Sequence, residues 1–215
     1  MIKIRLCFSK SGPLRYIGHL DFLKVFQKTI RRAGLPAVYS QGFNPHMQLS
    51  FALPLPLGMT SFFDYADITL EQEMPGDEIV SLLNAHAPEG LILCRAWEFT
   101  GPGAAALATA ADYIFNYSDE KSINAILGQG SIVIPKKTKS GIKDTDVRPD
   151  IFDISLTNGN TIMRLAAGSG RFLNPLIVAK LITGNEISPA SIIRHDLYTQ
   201  DENKGLISLN ETPVF

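Results

Sequence analysis

The chain has 215 residues, of which 45% are hydrophobic and 19% charged, with a formal net charge of −1. That balance excludes a disordered chain and supplies enough apolar material for a sizeable core. There is no run of about 18 apolar residues, and the N-terminus M-I-K-I-R-L-C-F-S-K has no signal-peptide core, so a cytoplasmic location without a membrane partner is expected.

Ile2, Ile4, Leu6 and Phe8 alternate with Lys3, Arg5, Cys7 and Ser9, the period of a half-buried strand. The spacing then predicts a helix over 19–33, stopped by Gly34 and Pro36. Phe22, Val25, Phe26, Thr29, Ile30 and Ala33 fall on one helix face, and Lys24, Lys28, Arg31 and Arg32 on the opposite one. A proline-blurred strand over 47–53, a strand over 61–71, a helix over 75–87 and a strand over 91–97 follow. Strand, helix, strand, strand, helix, strand is the ferredoxin-like order.

Residues 100–110 are small and rich in Ala and Gly and read as a linker. Beyond them the order repeats more loosely. Strands are expected at 113–117, 132–134, 151–156, 161–166 and 191–198, with helices at 119–127 and 175–182. Asn158 and Gly159 mark a hairpin. Residues 136–143, K-K-T-K-S-G-I-K, read as a flexible basic loop. The expected fold is α+β, with two ferredoxin-like halves (1–99 and 111–215). Each half has an antiparallel sheet with its helices on one face.

Charge is segregated along the chain. Residues 1–50 hold eight Lys or Arg against Asp21 alone, and residues 51–100 hold eight acids against Arg95 alone. Either the first segment presents a basic patch to an anionic partner, or the two neutralise each other across the sheet. The two cysteines, Cys7 and Cys94, form neither a cluster site nor a four-cysteine zinc site by themselves, and cytoplasmic thiols stay reduced. No cofactor or metal is expected.

The polar residues that bracket the first helix are candidates for chemistry. His19 and His46 in one pocket would supply an acid and a base, with Asp21 orienting one of them; the competing account, a metal held by these three, has its ligands scattered rather than at a helical i, i+4 spacing. Asp21 would equally well cap the helix. Arg15 suits a phosphate, and Tyr39, Gln41 and Asn44 would either bond a ligand or serve their own turn. Gly168, Ser169, Gly170 and Arg171, with Arg164 nearby, resemble a phosphate-cradling turn, for which an ordinary strand-to-helix turn is the competing account. The outward residues of the first strand include no aromatic, so a stacking platform of the RNA-recognition type is not expected.

G-P-L-R-Y-I-G-H-L-D at 12–21, R-R-A-G-L-P at 31–36, Y-S-Q-G-F-N-P-H at 39–46 and L-S-F-A-L-P-L-P-L-G at 49–58 resemble the radical-SAM-associated protein family of unknown function. Met47 stands where that family commonly has proline. The resemblance implies an accessory or appended module with a radical SAM enzyme as its partner. The chain lacks the C-x-x-x-C-x-x-C spacing of such enzymes, so it is not one itself.

Three functions are expected from these features. The first is an RNA-binding accessory or adaptor protein using Arg15, Lys24, Lys28, Arg31 and Arg32. The second is an enzyme acting on RNA or a phosphorylated substrate through Arg15, His19, Asp21 and His46. The third is a protein–protein module for a radical SAM partner.

Overall fold

A strand forms at the N-terminus, and both of its faces are covered. The computed structural model describes residues 1–138, 141–201, 203 and 205–211, with backbone alone at 137 and 138. β1 (Ile2–Lys10) directs Ile4, Leu6 and Phe8 toward α1 (His19–Arg32) and α2 (Gly76–His86). These side chains share a core with Phe22, Phe26 and Ile30 of α1 and Ile79 and Leu83 of α2. The rings of Phe8, Phe22, Phe26 and Phe51 meet edge-on or tilted, with centroids 5.1 to 5.9 Å apart, geometry that favours aromatic contacts.

The other face of β1 corrects the expectation of an outward set. Arg5 and Cys7 are each 1% exposed. The Arg5 guanidinium donates to Asp67 at 2.8 and 3.2 Å and to the Pro102 carbonyl at 3.2 Å, and it lies 4.3 Å from the Phe99 ring centre. Asp67 in turn accepts from the Ala104 backbone N–H at 2.5 Å. Residues 100–110 are therefore packed over the sheet. They include α3 (Ala104–Leu107), with Ala104 and Ala108 buried.

β1 pairs antiparallel with β3 (Thr60–Leu70) and β4 (Leu91–Glu98), and the short β2 (Leu49–Phe51) pairs with β3. The chain continues through β5 (Ala110–Phe115), α4 (Glu120–Leu127), β6 (Val133–Thr138), β7 (Gly141–Asp146), β8 (Ile151–Thr157), β9 (Asn160–Ala166), α5 (Pro175–Thr183), β10 (Ile192–Gln200) and β11 (Leu206–Ser208). The result is a mixed α+β architecture around one nine-stranded sheet, ordered β4-β1-β3-β10-β5-β9-β8, with β2 on β3 and β11 on β10. The β3–β10 contact, Thr60 with Ile193 and Ser61 with Arg194, is its parallel pairing among the described residues.

Local chemistry explains several boundaries. Asn158 and Gly159 both have positive φ, 50° and 77°, which a two-residue hairpin turn between β8 and β9 requires. Asp119 caps α4 through the backbone N–H groups of Lys121 and Ser122. Pro175 opens α5 and Gly184, at φ 71°, closes it. The basic segment 136–143 is corrected from a loop to the arms of the β6–β7 hairpin, with Lys136 opposite Lys143. Pro135 is accommodated because this two-stranded ribbon is all edge. Positions 139 and 140 of that expectation lie outside the described residues.

Buried polar groups cluster where β3 meets β10. Arg194 is 0% exposed and donates to Asp64 at 2.8 Å and to the carbonyls of Pro54 and Leu53 at 3.2 and 3.0 Å. Lys10 is also buried, with its ammonium 4.5 Å from the Phe22 ring centre, and burial lowers its pKa. Asp196 accepts from the hydroxyls of Tyr65 and Ser208, both at 2.6 Å, and from the Leu197 N–H at 2.7 Å.

Burial raises the Asp196 pKa despite those bonds. The native state therefore holds its proton to a higher pH than the unfolded chain does. Unfolding free energy should fall as pH rises from the ordinary carboxylate range through the raised native value. Asp196→Asn keeps the shape and removes the titration. In urea denaturation across acidic pH, the stability of the wild type relative to this variant should fall as pH rises; a difference that does not change with pH would exclude Asp196 as the source.

Candidate nucleic-acid interface

Helical spacing and packing together expose the basic face of α1. Phe22, Phe26 and Ile30 anchor one side in the core, which turns Lys24, Lys28, Arg31 and Arg32 to solvent. Lys24 pairs with Asp21 at 3.0 Å in an exposed contact. Arg31 donates to the Tyr39 hydroxyl at 3.3 Å. Among the described residues no carboxylate pairs with Lys28, Arg31 or Arg32. The charge segregation thus resolves in two ways. Arg5 is neutralised by Asp67 across the sheet, whereas Lys28, Arg31 and Arg32 on α1 meet no carboxylate among the described residues.

The loop after α1 lies against this face. Tyr39 bridges to Met47, and Ser40 and His46 close the loop with two hydrogen bonds of 2.8 and 3.0 Å. Gln41, Phe43 and Asn44 lie in the exposed part between them, and Gly42 takes φ 124°, which favours glycine. Phe43 is 106% exposed. Sequence reasoning passed over this residue. Its signal was an aromatic inside Q-G-F-N-P, a stretch with no hydrophobic period to bury it.

The remaining candidates are not brought together into one constellation. His19 packs edge-on against Phe51, with ring centres 5.6 Å apart, beside a void of about 10 Å³ shared with Lys10 and Asp64. That volume holds roughly one water. His46 faces a different groove, of about 480 Å³, with Lys3, Ser40, Gln48, Ser50, Thr69 and Phe99. Asp21 is engaged by Lys24 and makes no side-chain cap; in the first turn of α1 its charge suits the helix dipole. Arg15 donates to the hydroxyl of its neighbour Tyr16 at 2.6 Å and lies over that ring at 4.7 Å. Among the described residues, no group of three or more His, Cys, Asp or Glu side chains could hold a metal ion.

The Gly168–Arg171 turn is closed by its own backbone, the Gly168 N–H donating to the Arg171 carbonyl at 2.9 Å. A Cβ on Gly168 would come within 2.5 Å of the Ala108 carbonyl, so close backbone packing demands glycine there. Both nearby arginines are occupied. Arg164 holds Asp112 through two bonds of 2.8 Å, and Arg171 pairs with Asp150.

Cys7 and Cys94 lie on neighbouring strands, where the register shifts between β1 and β4. The neighbouring, buried Cys7 thiol draws the pKa of exposed Cys94 down to about 7. Cys94 should therefore be alkylated by iodoacetamide with a rate that rises through a midpoint near neutrality. Cys7→Ala should move that midpoint upward into the ordinary thiol range. An unchanged midpoint would show that Cys7 does not hold the thiolate.

Residues 3–175 match a family described as uncharacterized proteins conserved in bacteria, DUF2344. The chain belongs to this family. The matched span contains α1, the 39–46 loop and the groove beside it, and it ends at the first residue of α5. No curated protein matches the chain. Among the described residues no helix is long and apolar enough to cross a membrane.

Proposed function

We propose that this DUF2344 protein is an RNA-binding accessory or adaptor protein that holds a single-stranded segment against α1 and the 39–46 loop. The observation that carries this reading is the exposed face of Lys24, Lys28, Arg31 and Arg32 together with a wholly exposed Phe43 on the loop that Tyr39 ties to Arg31. Lysines and arginines attract phosphates without regard to sequence, and an exposed aromatic stacks an unpaired base. Duplexes hide their base faces, so the pairing of cations with Phe43 favours a single strand.

In both halves the closing strand lies beside the opening one, which in turn lies beside the third: β4-β1-β3 and β10-β5-β9. This order supports reading two ferredoxin-like units, the second interrupted by the β6–β7 hairpin. The open sheet face on which RNA-recognition domains stack bases is covered here at Arg5 and Cys7, so this reading has the phosphates follow the helix side rather than a stacking platform on the sheet. The separate surroundings of Arg15, His19, Asp21 and His46 favour an adaptor over an enzyme. The N-terminal motifs suggest a radical SAM enzyme as the protein to which the RNA is presented.

The test is fluorescence anisotropy with a labelled mixed-sequence oligoribonucleotide, single-stranded and annealed, over a range of salt. Binding should be tighter to the single strand and weaken steeply with salt. Salt-insensitive or undetectable binding would overturn the reading.

A further inference from the structure

We infer that the groove between the 39–46 loop and the segment 99–103 is a pocket for one unstacked nucleobase of the bound RNA. This inference rests on the RNA-binding reading above and names what its neighbouring groove would recognise.

The groove has a volume of about 480 Å³, within the range of sites that hold small organic ligands. It opens on the sheet face opposite α1. Ser50 pairs with Asp67 and Lys3 with Thr69 across the strands, which places these four side chains on the face shared with Arg5. Phe99, held from one side by the Arg5 guanidinium, supplies a fixed apolar wall. Ser40, His46, Gln48, Ser50 and Thr69 place hydroxyl, imidazole and amide groups around it. Such groups donate and accept in the pattern that the edge of a base presents.

Charge also fits this occupant. The carboxylate at the groove floor, Asp67, is already engaged by Arg5 and by the Ala104 N–H. It therefore offers little repulsion to a nucleotide, and Lys3 supplies a cation among the lining residues for the adjoining phosphate.

The groove is continuous with the basic face through a single loop. Tyr39 bonds Arg31 at the C-terminal turn of α1, and the next residue, Ser40, already lines the groove. His46 is set at its rim, because its backbone makes both bonds that close the loop on Ser40. A strand whose phosphates follow α1 reaches the groove by crossing this loop, and the flat, uncharged group it carries there is a base.

The experiment compares oligoribonucleotides of equal length, intact or carrying abasic sites throughout, which keeps the phosphate count constant. It uses full-length protein with Phe43→Ala as background, so that stacking on that ring is removed. Intact RNA should bind about tenfold more tightly than abasic RNA. Adding His46→Ala and Gln48→Ala should abolish that preference while leaving abasic affinity and its salt dependence unchanged. Both positions are exposed, so thermal unfolding should be unaffected. If the preference survives these substitutions, or is absent from the Phe43→Ala background, the groove takes no base, although salt-dependent binding would still support the α1 reading. If abasic and intact RNA both fail to bind, the RNA reading itself fails.

Discussion

Replacing Lys24, Lys28, Arg31 and Arg32 together by glutamine should weaken binding to single-stranded RNA on the order of a hundredfold or more at low salt. All four side chains lie at the surface of α1, and no described carboxylate engages Lys28, Arg31 or Arg32. Each phosphate contact on a single strand contributes roughly 0.7 to the slope of log affinity against log salt, so losing four lowers the slope by about 2.8. Stability should change little. Glutamine is a good helix former, and the Lys24–Asp21 pair, exposed on both sides, contributes about 0 to 1 kcal/mol. Anisotropy titrations between roughly 50 and 200 mM salt read both quantities. Unchanged affinity with an unchanged slope would remove α1 from the interface.

The largest expected effect on stability is at Asp64. Asp64→Ala removes the carboxylate that accepts from Arg194 at 2.8 Å and leaves a fully buried guanidinium with, among the described residues, the carbonyls of Leu53 and Pro54 as its acceptors. Orphaning one member of a buried pair costs about 3 to 5 kcal/mol. For a chain of this size that is a fall in Tm of roughly 6 to 20 °C. Lys10 lies in the same environment and feels the Asp64 charge, so the variant also leaves two cations around one lost anion. Exchanging both Asp64 and Arg194 for apolar residues of similar volume should restore much of the loss. Thermal and urea unfolding of the single and paired variants would separate the two cases. A loss below about 1 kcal/mol for Asp64→Ala would show that the pair does not hold β10 against β3.

Residues 1–98 were largely legible from periodicity. The alternation from Ile2 to Phe8 became β1, and the helix expected over 19–33 is α1, Phe22, Phe26 and Ile30 inward and four cations outward. Local patterns suffice there, because a helix face is defined by residues a few positions apart. The same reasoning left β7, β11 and α3 unseen. These are short and stabilised by partners far away in the chain; β11, for example, is a three-residue strand paired to the end of β10. Arg5 and Cys7 misled for a related reason. Alternation shows that two faces differ, but not that the second is open. Segment 99–104 and Asp67 close it over Arg5.

The candidate site divides along the same line. The basic face of α1 was readable because it is a property of one helix. The group of Arg15, His19, Asp21 and His46 was close in sequence, yet Asp21 turned to Lys24, Arg15 to Tyr16, and the two histidines to different cavities. Phe43 was visible as a letter, and only the loop geometry showed that nothing covers it.

By itself the sequence determined most elements of residues 1–98, the buried face of α1, the hairpin at Asn158 and Gly159, and the cationic stripe on α1. The tertiary structure alone decided which charges are partnered. Arg5 meets Asp67 across 62 positions and Arg194 meets Asp64 across 130. The physical reason is that strand pairing brings such groups together out of water, where an unpaired charge is too costly to keep. No local pattern carries that information. Lys28, Arg31 and Arg32, which meet no carboxylate among the described residues, are left available to bind a polyanion.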